Sequence, residues 1–121
     1  MHYLFVIAAL LTAPSSALAQ DKYDVFIGDY VASGHIVSVC KNFTTYGVQD
    51  AATIAKQEKG LRRNKVLRIL YYGNTDNLLK LGDYVLASQG VSRSKPAQLC
   101  RFAKSIVKND EGIGRFLRVR K

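Results

Sequence analysis

Apolar and polar positions follow a helical period along most of this chain. In residues 94–108, Leu99, Phe102, Ala103 and Ile106 recur at i, i+3, i+4 and i+7, one face of a helix. Arg101, Lys104 and Lys108 fall on a different face of the same stretch. Ser94, with Pro96 in the first turn, marks its start. In the preceding segment Thr75 or Asp76 is the expected cap, Leu78, Leu81, Gly82 and Val85 share a face, and Gly90 is the stop. Residues 61–72 lie between Gly60 and Gly73 and offer Val66, Leu67, Ile69 and Leu70 to a core. Before them, Asp50 predicts the cap of a helix with apolar Ala51, Ile54 and Ala55, closed by Gly60.

The first segment, residues 21–43, is less one-sided. Phe26, Tyr30, Val37 and Cys40 sit near helical spacing, and Ile36 and Phe43 flank Cys40 at i−4 and i+3. That pattern predicts a helix with Cys40 on its buried face. Gly28 and Gly34 oppose it, each costing about 1 kcal/mol relative to Ala in a helix. The β-branched runs around Val25 and Ile36 would also suit strands, so helix against strand stays open from Val25 to Cys40. No Asn-Gly or Asp-Gly turn joins those runs, which favours the helix. At the other end, Gly112 and Gly114 predict a bend. Beyond it, either Ile113, Phe116 and Leu117 dock on the core, or Phe116, Leu117 and Val119 join Arg115, Arg118 and Arg120 in a membrane-surface segment. The fold expected is all-α: a small bundle of four to five helices.

The N-terminus changes the picture of compartment. Residues 4–13 are a continuous apolar run, and Ala17 and Ala19 fit a signal-peptidase site. The run is too short to span a membrane, which takes about 20 apolar residues. The expected organisation is a signal peptide at 1–19 and a single helical domain at 20–121, periplasmic or secreted. Export implies an oxidising compartment, so the only two cysteines, Cys40 and Cys100, are the expected disulfide. A domain this small often needs such a staple.

Charge is the one feature above background. The formal net charge is +9 over 121 residues. Lys56, Lys59, Arg62, Arg63, Lys65 and Arg68 are opposed only by Glu58 within their stretch, and Lys104, Lys108, Arg115, Arg118, Arg120 and Lys121 form a second group. On one side of the bundle they would attract anions; spread around it they are a solubilising exterior. The residues singled out as anion- or partner-binding candidates are Lys59, Arg62, Arg63, Lys65, Arg68, Lys104, Arg115 and Arg118.

Catalytic patterns are sparse. After signal-peptide removal, His35 is the one histidine, and with both cysteines in a disulfide no ordinary Cys/His metal site can be assembled. Ser33, Ser38 and Asp29 lie near His35 in sequence, but helical spacing gives no reason for them to converge. There is no Gly-x-Ser-x-Gly elbow, phosphate loop or dinucleotide fingerprint, so no cofactor is implied.

Gly90-Val91, Pro96-Ala97 leading to Cys100, and Ile113-Gly114-Arg115-Phe116-Leu117-Arg118 resemble the C-terminal pattern of a family of small exported alphaproteobacterial proteins, known as a domain of unknown function. Cys40 also fits that pattern. The resemblance implies a mostly helical periplasmic protein with a disulfide, and it brings no catalytic residues.

These observations lead to an exported, non-catalytic binding or accessory protein with a basic surface. Its partner would be an anionic envelope surface or another exported protein. Nucleic acid is not expected, and the mature chain holds no run long enough to cross a membrane. The alternatives are an inhibitor, chaperone or immunity-type protein that binds by shape, and, less supported, a small hydrolase built on His35 or converging carboxylates.

Overall fold

A computed structural model describes residues 21–121; the expected signal peptide lies outside them. The elements in order are α1 (Lys22–Val39), β1 (Phe43–Thr45), α2 (Val48–Lys59), α3 (Arg63–Tyr72), α4 (Thr75–Ser88), α5 (Pro96–Ile106), a 3₁₀ turn (Ile113–Phe116) and β2 (Leu117–Val119). Five helices and one disulfide agree with the expected bundle.

α1 is the axis of the fold, and the region open between helix and strand is helix throughout. Asp21 caps it, its carboxylate accepting the Asp24 N–H at 2.8 Å. Phe26, Ile27, Ala32, Ser33, His35 and Ile36 are all buried, so the helix is enclosed on more than one face, as a central helix must be. This is why the sequence shows no single clean stripe there. Gly28 has a packing reason to be in the helix. A Cβ at Gly28 would fall 2.9 Å from Val85 Cγ2, and one at Gly82 would fall 2.6 Å from His35 Nε2 and 2.7 Å from Val31 Cγ1. The two glycines therefore let α1 and α4 approach closely, each accepting side chains from the other helix.

α2 and α3 form a hairpin against the first half of α1. Gly60 ends α2 in the left-handed region (φ 67°), where glycine carries no Cβ penalty. Ala52, Ala55, Leu61 and Val66 pack there with Phe26, Ile27 and Phe116. A second cluster surrounds the other half of α1: Ala32, Ile36, Cys40 and Phe43 with Leu86, Leu99, Ala103, Ile113 and Leu117. Cys40 and Cys100 are bonded, with Cα atoms 5.6 Å apart, and tie the end of α1 to α5.

Several boundaries differ from expectation. Asp50 lies inside the first turn of α2, and Gly47 is the flanking residue. Asn74, rather than Thr75 or Asp76, caps α4, accepting the Asn77 N–H at 3.0 Å. Pro96 opens α5 after Lys95; the Ser94 hydroxyl is engaged with Ser92 instead of the helix. The C-terminal segment does more than bend. β2 pairs antiparallel with β1, Phe43 opposite Val119 and Thr45 opposite Leu117. Ile113, Phe116 and Leu117 are buried, so the segment docks on the core rather than standing free as a membrane-surface strip. Among the described residues, no helix is long and apolar enough to cross a membrane.

Candidate functional site

Four cations without an acidic partner gather over the disulfide. A groove of about 590 Å³ runs between α5 and the open end of the β1–β2 ribbon. Its floor is apolar: Val39, Phe43, Val107, Val119 and the Cys40–Cys100 bridge. Its rim is Lys41, Arg101, Lys104 and Arg120, and no carboxylate lines it. All four cations are exposed. Among the described residues, the ion pairs are His35–Asp83, Lys59–Glu111, Arg93–Asp83 and Arg115–Glu58, so the rim cations have no acidic partner.

Local structure sets each rim residue. Arg101 and Lys104 stand at i and i+3, neighbours on the outer face of α5. Lys41 follows Cys40 directly, and Arg101 follows Cys100 directly, so the disulfide brings both cations to one place. The Arg120 N–H donates to the Asn42 carbonyl at 2.8 Å and holds the C-terminal strand beside Lys41.

Of the eight residues singled out in the sequence, only Lys104 lines this groove. Lys59 pairs with Glu111 at 3.2 Å. Arg115 pairs with Glu58, is 12% exposed at the side chain, and lies 5.3 Å from the Phe116 ring. Arg118 sits 4.3 Å over the Tyr46 ring and donates to its hydroxyl. Lys65 sits 4.2 Å over the Tyr23 ring. Arg63 donates to Thr53 Oγ1 at 3.0 Å and to the Gln49 side-chain carbonyl. Arg62 and Arg63 line a separate shallow depression with Lys56, and Arg68 lines another with Tyr71 and Tyr72. Five of these eight cations, Lys59, Arg63, Lys65, Arg115 and Arg118, are thus held by carboxylates, aromatic rings or polar side chains. Lys41, Arg101 and Arg120 were not among the eight. The signal for Lys41 was in the sequence: once the cysteines are paired, their neighbours are paired too.

His35 is committed to packing. It is 4% exposed, and its Nε2 lies 2.9 Å from the Leu79 carbonyl and 3.5 Å from Asp83 Oδ1. A carbonyl only accepts, so Nε2 carries the proton there. Asp83 is held by Arg93 through two hydrogen bonds, 2.8 and 2.6 Å. Those bonds are the main reason its carboxyl sits below the usual range; the His35 and Arg93 charges add to the effect and partial burial opposes it. The Ser33 hydroxyl donates to the Tyr30 carbonyl and that of Ser38 to the His35 carbonyl, so both hydroxyl protons are in use. Among the described residues no group of three His, Cys, Asp or Glu comes together as metal ligands would.

Comparison with protein-family models, with curated proteins and with solved structures gives no match.

Proposed function

We propose that the protein is an exported, non-catalytic binding protein that attaches to an anionic lipid surface of the envelope through the groove beside its disulfide. The observation that carries this reading is the rim of Lys41, Arg101, Lys104 and Arg120 over an apolar floor without a carboxylate. Lys and Arg recognise phosphate by charge and by multiple N–H donors. Val119, 58% exposed between Arg118 and Arg120, adds apolar surface at headgroup depth. Each Lys or Arg near an anionic leaflet contributes about 1 kcal/mol, so four act as a worthwhile but salt-sensitive anchor.

The oxidised mature protein should cosediment with phosphatidylglycerol-containing vesicles at low salt, bind less at near-physiological salt, and stay in the supernatant when the vesicles are neutral. Equal binding to both vesicle types, or to neither, overturns the reading.

A second reading, an inhibitor- or chaperone-type contact with another exported protein, is favoured by one observation. Tyr71 and Tyr72 are 54% and 84% exposed and stand beside Arg68 in one depression. Tyr and Arg are the residues that concentrate energy in protein interfaces. That reading expects association that tolerates salt.

A further inference from the structure

A second cleft, of about 330 Å³, lies on the far half of α1, and the proposal drawn from it stands independently of the basic groove. Val25, Phe26 and Phe116 form its apolar walls, with Asp29 on α1, Lys59 at the end of α2, and Glu111 and Arg115 from the segment around the 3₁₀ turn. Phe26 and Phe116 meet edge to face, centroids 5.2 Å apart, which fixes the walls. The volume is at the lower end of the range for small-molecule sites, roughly 300–1,000 Å³.

The charges in this cleft are nearly all spent. Lys59 is paired with Glu111, and Arg115 with Glu58. Lys22, also at the cleft, is exposed on the first turn of α1. Asp29 alone is a half-buried carboxylate that no donor among the described residues reaches. Burial pushes its carboxyl up to about 6, with Lys59 opposing the rise and Glu111 adding to it. Near neutral pH it is therefore mostly ionised, poorly solvated and unmatched.

We propose that this cleft binds a small organic cation, a primary ammonium on a short aromatic or alkyl body. The ammonium meets Asp29, and the body lies against Val25, Phe26 and Phe116. An anion would meet Asp29 and Glu111, and of the cations at the cleft Lys59 and Arg115 are already paired, which leaves only Lys22, exposed at the rim, to receive it; a neutral ligand would strip water from the carboxylate and return no charge.

The test uses the full oxidised mature protein and three probes of one shape: benzylamine, benzyl alcohol and benzoate, followed by NMR. Benzylamine should shift Val25, Phe26, Asp29 and Phe116 saturably and bind about tenfold or more tighter than benzyl alcohol, with benzoate weakest. The sign of the pH effect follows from the ammonium needing ionised Asp29. Binding lowers the Asp29 pKa and releases a proton, so benzylamine affinity should be level above about pH 6 and fall about tenfold per unit well below it. Asp29→Asn should remove the preference for the amine while leaving benzyl alcohol binding intact. The proposal is overturned if benzoate or benzyl alcohol binds as tightly as benzylamine, if no probe shifts these residues saturably, or if benzylamine affinity is flat across pH 5 to 7. The wild-type pH profile decides the matter even if the Asn variant fails to fold.

Discussion

Replacing both cysteines, Cys40→Ala with Cys100→Ala, should lower the unfolding free energy by about 4 kcal/mol. The bond closes a loop of sequence separation 60, and the chain-entropy model assigns most of its effect to the freedom the unfolded chain regains. The consequence is large because the domain is small. A total stability of roughly 5–15 kcal/mol is typical, and a domain of this size loses about 4–8 °C of Tm per kcal/mol, so a fall of roughly 15–30 °C is expected. The native-state contribution points the same way. Cys40 is 3% exposed and packed in the cluster of Ile36, Phe43, Leu99 and Leu117. Urea unfolding with and without reductant measures it. A change under about 1 kcal/mol would mean that residual structure in the unfolded chain already supplies the constraint. The same bond positions Lys41 against Arg101, so the reduced protein should also bind anionic vesicles more weakly.

Phe116→Ala should cost about 3–5 kcal/mol. The ring is 1% exposed and meets two aromatic rings of α1 edge to face, Phe26 at 5.2 Å and Tyr30 at 5.5 Å. It closes the cluster in which α1 packs on the α2–α3 hairpin, and helices on three sides limit how far the cavity can collapse. Phe116 and Leu117 are neighbours in sequence but serve the two different core clusters, so this one segment joins the halves of the domain. Val119→Ala, three residues on and more than half exposed, should change stability by under about 0.5 kcal/mol. Comparable losses from the two variants would mean that the segment is not docked as described.

The helices were legible where one face is buried. Leu99 and Ala103 on α5, and Val66 on α3, are the buried positions that the spacing indicated. α1 was ambiguous for a physical reason: it is enclosed on several faces, so its pattern is not amphipathic, and one of the two glycines that counted against it, Gly28, is there to admit Leu81 and Val85, while Gly34 has open space around it. The ribbon left no trace because three-residue strands are too short to show alternation, and the partners come from opposite ends of the domain. At α4 the cap moved because Asn74, Thr75 and Asp76 stand together and geometry selects among them, whereas α2 and α5 follow Gly47 and Lys95, neither of which caps with its side chain.

The site was less legible than the fold. A run of cations in sequence says nothing about what each side chain finds on folding. Arg63, Lys65 and Arg115 found amides, a ring and a carboxylate, whereas Lys41, Arg101, Lys104 and Arg120 found no acidic partner. The relevant cluster assembles only through the disulfide and the β2 strand, both long-range links. Asp29 was passed over for a similar reason: its neighbours in the cleft, Lys59 and Glu111, come from distant parts of the chain.

On the proposed reading the groove, and not overall charge, binds the anionic surface. The most direct measurement compares two variants that each lose four positive charges. One carries Lys41→Gln, Arg101→Gln, Lys104→Gln and Arg120→Gln. The other carries Lys56→Gln, Arg62→Gln, Arg68→Gln and Lys80→Gln, also exposed positions. Four contacts at about 1 kcal/mol each correspond to roughly a thousandfold in partitioning. In low-salt cosedimentation with phosphatidylglycerol-containing vesicles, the first variant should stay in the supernatant and the second should pellet nearly as the parent does. Equal loss by both would contradict the account and assign the attraction to net charge alone.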